Sequence, residues 1–507
     1  RAIMCMDGDT VAKIENVVKA TMIDKYKEKI VEKEGSGCIV MLNEWRLDDL
    51  RLVFDVLSLV DQGIDPCVDL VLNFCRQQGY EIVKDKDLDE KPLEMIEKLV
   101  TLQAKYRQLL DHSFSTKSPI DHSISHSEPF ARAIKAAFDD IVNANPKLPE
   151  YLSLLIDSKL KKGKTQIAES DFDVLFDQVL GIFRHLREKD VFETYYKKHL
   201  AKRLLGQRSQ SDEAEKSFIA KLKQEVGYQF TSKLEGMFKD MRSSREIHDS
   251  YKTYLDFYNR KLEMDMTVQI LTTGFWPVHQ SFTMNVPKQF DQSIKSFEKF
   301  YTDAHSGRKL TWQYHMGSAD VRANGFEKPY ELNVSTIQAC ILTLLNESES
   351  LTYGELSQLT AVPARELKLN VLALTVKSTS HEKVLLKDGD AKTLDATTRF
   401  TPNNEFKSKL IKVKINPVVL KENKEQAQQT QSKIDEERGW LLDATIVRIM
   451  KARKTLEHRD LVIETTKQLS TRFMPSPDAI KKRIENLIER EYLVRSEESR
   501  SKYLYQA

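Results

Sequence analysis

Five cysteines in 507 residues (Cys5, Cys38, Cys67, Cys75 and Cys340) form no CxxC pair, and their number is odd. That excludes a disulfide framework and points to a reducing compartment, cytoplasmic and nuclear. Cys340 lies in STIQACILTLL, an apolar helical stretch, and reads as a buried structural thiol rather than a nucleophile. No apolar run approaches the ~20 residues of a spanning helix, so no membrane segment is expected. There is no Gly-rich phosphate loop, nucleophile elbow or metal motif, so the expectation is no catalytic site, no cofactor and no metal. His122 and His126 are four apart in SPIDHSISH, but the surrounding Pro and Ser argue for a loop over a metal site. Large net charge is also lacking. The balance is +2, which gives no global field toward nucleic acid or membrane. No leader segment is visible. The chain opens RAIMCMDGDT without an initiator Met, so more protein is expected before Arg1.

What remains is an ordinary globular composition, 40% hydrophobic and 30% charged, long enough for three to four domains. The first ~90 residues are helical by period. Val11, Ile14, Val17, Val18, Met22, Tyr26 and Ile30 recur at threes and fours, GSG at 35–37 breaks the pattern, and DKDLDEKP is a charged linker. Further helices follow to about residue 265: EMIEKLVTLQAKYRQLL, EPFARAIKAAFDDIV, FDVLFDQVLGIFRHL and DEAEKSFIAKLKQEV. They show no fixed repeat, so a bundle is expected. SDEAE supplies a capping Ser or Asp and acids for a first turn.

From about 266 the pattern mixes. MTVQILTTGFWP is rich in β-branched residues. RKLTWQYHM alternates, with Leu310, Trp312 and Tyr314 on one face and Thr311, Gln313 and His315 on the other. YELNVS, KVLLKD and VKINPVVL are further short strands, and STIQACILTLLN, YGELSQLT and ARELKLNVLAL are helices between them. A polar, Gln-rich connecting helix then leads into IVRIMKARK, HRDLVIETTKQLS and PDAIKKRIENLIEREYL, with a terminal hairpin. Three helices and a hairpin make a winged helix, with a core of Ile446, Ile449, Leu461, Leu469, Ile484, Leu487 and Ile488.

Within IVRIMKARK, Leu442, Ile446, Ile449, Met450 and Leu456 cluster on one side at ~100° per residue. Lys451 falls roughly 160° from the centre of that stripe, with Arg448 near it. Lys451 should therefore face solvent. From the spacing alone, a solvated face is the better reading of it than a modification site.

KDVFETYYKKHLAKRLL (189–205), FTSKLEGMFKDM (230–241), LTTGFWP, HSGRKLTWQYHMGSAD, IVRIMKARK and the terminal IKKRIENLIEREYLVR resemble, in order, the hallmark segments of the cullins. These are scaffolds of multi-subunit RING-type ubiquitin ligases. PEYLSLLIDSKLKKG, the HMGSAD form and RFMPSPDAIKKRIENLIEREYL resemble the cullin-three subtype. The resemblance runs over essentially the whole chain. It implies a mainly α protein: residues 1–90 the last helical cullin repeat of a stalk, 91–265 a four-helix bundle, 266–430 an α/β domain with a winged-helix-like element, and 431–507 a connecting helix and winged-helix domain. It implies that Lys451 accepts a ubiquitin-like modifier through an isopeptide bond (neddylation), in the matching context of Arg448, Met450, Arg453 and Lys454. It implies a zinc-bearing RING-H2 protein whose strand joins the α/β sheet, for which Leu310, Trp312 and Tyr314 are candidates. Other implied partners are the modifier and its conjugating enzyme, a ubiquitin-conjugating enzyme, a cullin-exchange factor and a deneddylating complex. A BTB-domain adaptor would bind through the part before Arg1. In YYKKHLAKRLL, the cations Lys197, Lys198, Lys202 and Arg203 are candidates for docking an acidic tail, against an ordinary solvated face.

Two other classes are weaker. A nucleic-acid-binding winged helix would use Lys481, Lys482 and Arg483, but residues 440–507 hold 14 Lys plus Arg against 10 Asp plus Glu, without a clear basic stripe. A thioester-carrying ligase needs an exposed, low-pKa Cys, and no Cys has that context.

Overall fold

The computed structural model describes residues 8–114, 127–163, 168–260, 262, 264–277, 282–324, 326, 328–377, 382–388, 394–415, 424–497, 499 and 501–506. The protein is mainly helical, as the sequence predicts. It forms two compact units, residues 1–232 together with 434–507, and residues 233–433.

The first unit begins with α1 (Gly8–Val18), α2 (Lys27–Val31), α3 (Cys38–Asn43), α4 (Leu47–Leu57), α5 (Asp65–Val83) and α6 (Lys86–Asp89). Then come α7 (Pro92–Ser113), α8 (Ser127–Asn143), α9 (Leu148–Leu160), α10 (Glu169–Phe183), α11 (Lys189–Leu205), α12 (Asp212–Val226) and α13 (Tyr228–Phe257), which runs into the second unit. The period at 11–31 does give helix, but the regular α-helix is interrupted by π and 3-10 turns at 19–26. Its stripe is also largely unburied: Ile14, Val17, Val18, Met22 and Tyr26 are all exposed. α5 and α8 pack closely because Gly79 has no side chain, and a Cβ there would lie 2.2 Å from Ile141 Cδ1. Ser211, not Asp212, caps α12 by accepting from the Ala214 amide at 3.2 Å. His122 and His126 lie outside the described residues.

One buried polar knot ties α9, α11 and α12 together. Arg203 on α11 is 1% exposed. Its Nε and Nη2 donate to Glu215 at 2.7 and 2.9 Å, and its Nη1 donates to Asp157 at 2.6 Å. The Ser209 hydroxyl donates to the same Glu215 at 2.5 Å. One turn earlier, His199 Nδ1 meets Ser153 Oγ at 2.9 Å, and burial pushes the ring down to about 4. Because burial holds the folded-state ring below the ordinary imidazole value of about 6.5, the unfolded chain takes up a proton first as pH falls. Stability is therefore full above pH ~6.5 and declines toward pH ~4, at up to about 1.4 kcal/mol per unit. Urea midpoints at pH 7.5 and 5.0 are expected to differ less in His199→Gln than in the native protein. An unchanged difference would rule out His199 as the source.

The second unit carries α14 (Lys288–Ala304), β1 (Ser318–Ala323), β2 (Tyr330–Ser335), α15 (Thr336–Asn346), β3 (Leu351–Thr352), α16 (Tyr353–Thr360), α17 (Ala364–Thr375), β4 (Leu385–Lys387), β5 (Arg399–Pro402) and β6 (Lys412–Lys414). β2 lies between antiparallel β1 and parallel β6, and β5 between antiparallel β3 and β4. The helices at YGELSQLT and ARELKLNVLAL and the strand at YELNVS form as the pattern predicts. Of VKINPVVL, residues 413 and 414 lie in β6 and 416–420 lie outside the described residues.

Two expected strands do not form ladders. Residues 266–272 and 309–313 form neither helix nor strand, and 273–276 turn. The first is pinned by side chains of α13. Ser244 Oγ accepts from the Ile270 amide at 2.8 Å, and Asp240 accepts from the Thr272 amide and from Trp276 Nε1, at 2.7 and 2.8 Å. Gly236 leaves room for the ring of Phe275, which a Cβ would approach to 2.6 Å. FTSKLEGMFKDM and LTTGFWP are thus two halves of one contact.

The chain re-enters the first unit through α18 (Lys424–Arg453), followed by β7 (Thr455–Glu457), α19 (His458–Leu469), α20 (Pro477–Glu489), β8 (Leu493–Arg495) and β9 (Lys502–Tyr505). β9 pairs antiparallel with both β7 and β8. This is the expected winged helix, with β7 as an added strand. Ile446, Ile449, Leu461, Leu469, Ile484 and Leu487 are its buried core, and Ile488 packs at the margin.

Candidate modification site on the C-terminal winged helix

The last turns of α18 sort their residues by helical phase. Leu442, Ile446, Ile449 and Met450 are buried against α19 and α20, while Arg448, Lys451 and Arg453 face out. Leu456 reaches the same core from a different element. The helix ends at Arg453, and Lys454 turns with φ +67° while its amide donates to Met450 O at 2.8 Å. That turn sends Leu456 into β7, opposite Tyr503.

Two polar contacts flank Lys451. Arg448 Nη2 donates to Gln468 Oε1 at 2.9 Å, and Arg453 Nε lies 3.5 Å from Glu464. Lys454 Nζ lies 5.2 Å from the centre of the Tyr505 ring. Among the described residues, no hydrogen bond or ion pair holds Lys451 itself. Its neighbours are tied to α19 and β9, and its amine projects alone. Met450, adjacent in sequence to Lys451, is buried as its place in the apolar stripe predicts.

The winged helix docks on the start of α11. The amides of Lys189 and Asp190 donate to the Arg472 carbonyl at 2.9 and 3.3 Å. Arg438 donates to both Asp190 oxygens at 2.5 and 2.8 Å, and Arg472 Nη2 donates to Glu193 at 2.9 Å. The Arg438 guanidinium also lies 5.0 Å from the Phe473 ring. Acids in the first turn of a helix suit its positive end, so both the dipole and the arginines favour them. Neither Arg438 nor Arg472 was distinguishable in the sequence from surface cations. Their partners lie 248 and 279 residues away.

The other sequence-derived sites fare unevenly. Arg203 is not available to an acidic tail, because it is buried in the knot described above. Lys202 is exposed, and Lys197 and Lys198 are half-buried. Leu310 and Trp312 do not enter a sheet but pack on Tyr251, Phe297 and Tyr301, with Trp312 Nε1 donating to Glu298 at 2.7 Å. Tyr314 begins a 3-10 turn and packs against the α/β core. Arg483 is drawn away from any nucleic-acid role by Asp443, whose carboxylate accepts from its Nε at 2.7 Å. Lys481 and Lys482 are exposed. No group of three or more metal-ligating side chains is found among the described residues. No described helix is long and apolar enough to cross a membrane.

Three family profiles match in succession: the Cullin alpha solenoid domain over residues 1–248, the Cullin alpha+beta domain over 270–406, and the Cullin protein neddylation domain over 437–499. The last covers the winged helix up to β8, Lys451 included. The chain therefore belongs to the cullin family, the scaffolds of ubiquitin ligases. It is of the cullin-3 type. It is 39% identical to Cullin-3 of Dictyostelium discoideum, over 99% of this chain and 68% of that protein. It is also 39% identical to Cullin-3B of Arabidopsis thaliana, over 100% of this chain and 68% of the relative. Cullin-3 of Caenorhabditis elegans is 33% identical over 100% and 68%.

Proposed function

We propose that this cullin is a non-catalytic scaffold that holds a zinc-bearing RING-H2 protein and positions a ubiquitin-loaded conjugating enzyme toward substrate carried by a BTB-domain adaptor. Lys451 is its site of neddylation, and the modifier's conjugating enzyme, a cullin-exchange factor and a deneddylating complex are its regulatory partners. Holding two reactants together raises their effective concentration, which is the whole contribution a scaffold makes to rate. The working division is a stalk over 1–90, a bundle over 91–265, an α/β domain over 266–430 and a winged-helix region over 431–507. Lys197, Lys198 and Lys202 remain candidates for an acidic tail.

The observation that carries the RING assignment is a pair of segments in the second unit that belong to no helix or strand. No backbone–backbone hydrogen bond joins residues 266–269 or 309–312 to another described residue. Both segments border one aromatic cluster of Tyr251, Phe297 and Tyr301. The buried Gln313 Oε1 also has no partner among the described residues. Backbone with open hydrogen-bonding groups over an apolar floor suits strand addition, in which the incoming strand supplies the missing hydrogen bonds. The non-catalytic reading rests on the thiols. Cys38, Cys67, Cys75 and Cys340 are all buried, and burial pushes Cys75 and Cys340 up to about 12, which suits neither for carrying a thioester.

Co-expression with a RING-H2 protein is expected to give a co-purifying complex and higher soluble yield, since unpaired strands aggregate. In that complex, amide hydrogen exchange at 266–270 and 309–313 is expected to slow strongly. A complex that forms without protection at either segment would refute the strand-addition site. Failure of any RING-H2 protein to co-purify would refute the scaffold reading.

A conjugated protein at Lys451 would compete with the docking of the winged helix on α11. Release of that contact would free the RING subunit to swing toward substrate.

A further inference from the structure

We propose that Cys38 and Cys67 are a peroxide-oxidisable dithiol that closes to a disulfide and clips α3 to α5. Among the described cysteines these two alone lie thiol to thiol, with Cys67 donating its S–H to Cys38 Sγ at 4.0 Å. A disulfide needs about 2.05 Å between sulfurs, so each atom has to move only about 1 Å. Side-chain rotation supplies that much.

The local backbone allows access. Cys38 is the first residue of α3, a helix of six residues with no side-chain N-cap. It is entered through Gly35, at φ +76°, and Gly37, where a Cβ would lie 2.6 Å from Lys33 O. A short, uncapped helix opens locally at low cost, and a molecule the size of hydrogen peroxide then reaches a sulfur that burial otherwise shields. The two thiols are also unequal. The hydrogen bond from Cys67 lowers Cys38, while the same bond and burial raise Cys67. Cys38 is therefore the attacking sulfur and Cys67 the resolving one.

The chemistry balances with hydrogen peroxide as oxidant. The Cys38 thiolate attacks one peroxide oxygen, the O–O bond breaks, and hydroxide leaves to give the sulfenic acid. The Cys67 sulfur then attacks the Cys38 sulfur and gives up its proton. The S–S bond forms, the S–O bond breaks, and the second oxygen leaves as water. The sulfur pair loses two electrons, the peroxide gains them, and a dithiol reductant reverses the step. The bridge encloses α4, whose Leu50, Phe54 and Leu57 are buried, and so restrains the α3–α5 segment of the solenoid.

The test uses the full chain, treated with hydrogen peroxide, quenched with catalase, denatured, alkylated and mapped by mass spectrometry. Cys38 and Cys67 are expected to escape alkylation until reductant is added, and to appear in one cross-linked peptide lacking two hydrogens. Cys75 and Cys340, buried without a thiol neighbour, are expected to alkylate throughout. In Cys67→Ser, Cys38 is expected to stop at sulfenic or sulfinic acid. The chain oxidised in urea is expected to lose the preference for this pair, which shows that the native fold supplies it. Equal alkylation of Cys38, Cys67, Cys75 and Cys340 in the treated native protein, or pairing of Cys38 with another cysteine, would overturn the proposal. The native-protein map decides the matter even if the serine variant fails to fold.

Discussion

Lys451→Arg is expected to abolish conjugation of the ubiquitin-like modifier while leaving the fold intact. The substitution keeps the charge, and Arg is as good a helix former as Lys. Lys451 is exposed and its amine is held by no described residue, so the change in stability should stay within about 0.5 kcal/mol. Guanidinium, however, stays protonated and cannot attack the modifier's thioester. Lys454→Arg is the control. It changes the same cationic segment, but Lys454 sits past the helix end and its Nζ lies against Tyr505. Conjugation should persist there at close to the native rate. A reconstituted reaction, read by mass shift and peptide mapping, checks both. Undiminished modification of Lys451→Arg would remove the assignment, and an equal loss in Lys454→Arg would transfer it to the basic segment as a whole.

Glu215→Ala should produce the largest loss of stability, about 3–5 kcal/mol, because it strips one partner from a buried ion pair. Arg203 would keep only Asp157, and the Ser209 and Tyr196 hydroxyls would lose their acceptor. The carboxylate and the guanidinium are desolvated together, so removing the carboxylate leaves the buried Nε and Nη2 of Arg203 without an acceptor. Replacing the pair with apolar residues of similar size, Arg203→Met with Glu215→Leu, should cost less than the single change. Urea denaturation of the first unit measures each variant. A single-variant cost below that of the double would mean that water enters and the site is not dry.

These two sites mark opposite limits of what the sequence reveals. Lys451 was legible because the core stripe is regular, and phase alone puts the amine outside. Arg203 was not. In KKHLAKRLL it looks like one more cation, yet Tyr196, Leu200, Arg203 and Leu204 fall on one helical face, and all four are buried. Its charge makes sense there only with Glu215 and Asp157, which are distant in sequence. The helices of the second unit were readable from period and caps, as Ser335 with Gln338 and Thr352 with Glu355 make reciprocal capping boxes. α14 was overlooked although Phe290, Ile294, Phe297 and Tyr301 carry a helical period. The two misread strands failed for a physical reason. β-propensity reports fit to a partnered surface, and extended residues without a neighbouring strand are not a sheet. β1 was missed because SADVRA is half-exposed and has one β-branched residue.

The first unit closes on itself across a gap in the chain, since Asp190 and Glu193 meet Arg438 and Arg472 only after residues 233–433 have been made. A ribosome adding roughly 5–20 residues per second takes on the order of 10–40 s over that interval. Throughout it, α11 shows its acidic first turn to solvent with the arginines that will cover it still untranslated. The order of synthesis thus gives the nascent protein a charged, half-finished surface that the docked winged helix later covers, and any factor that attends its birth has that surface to hold.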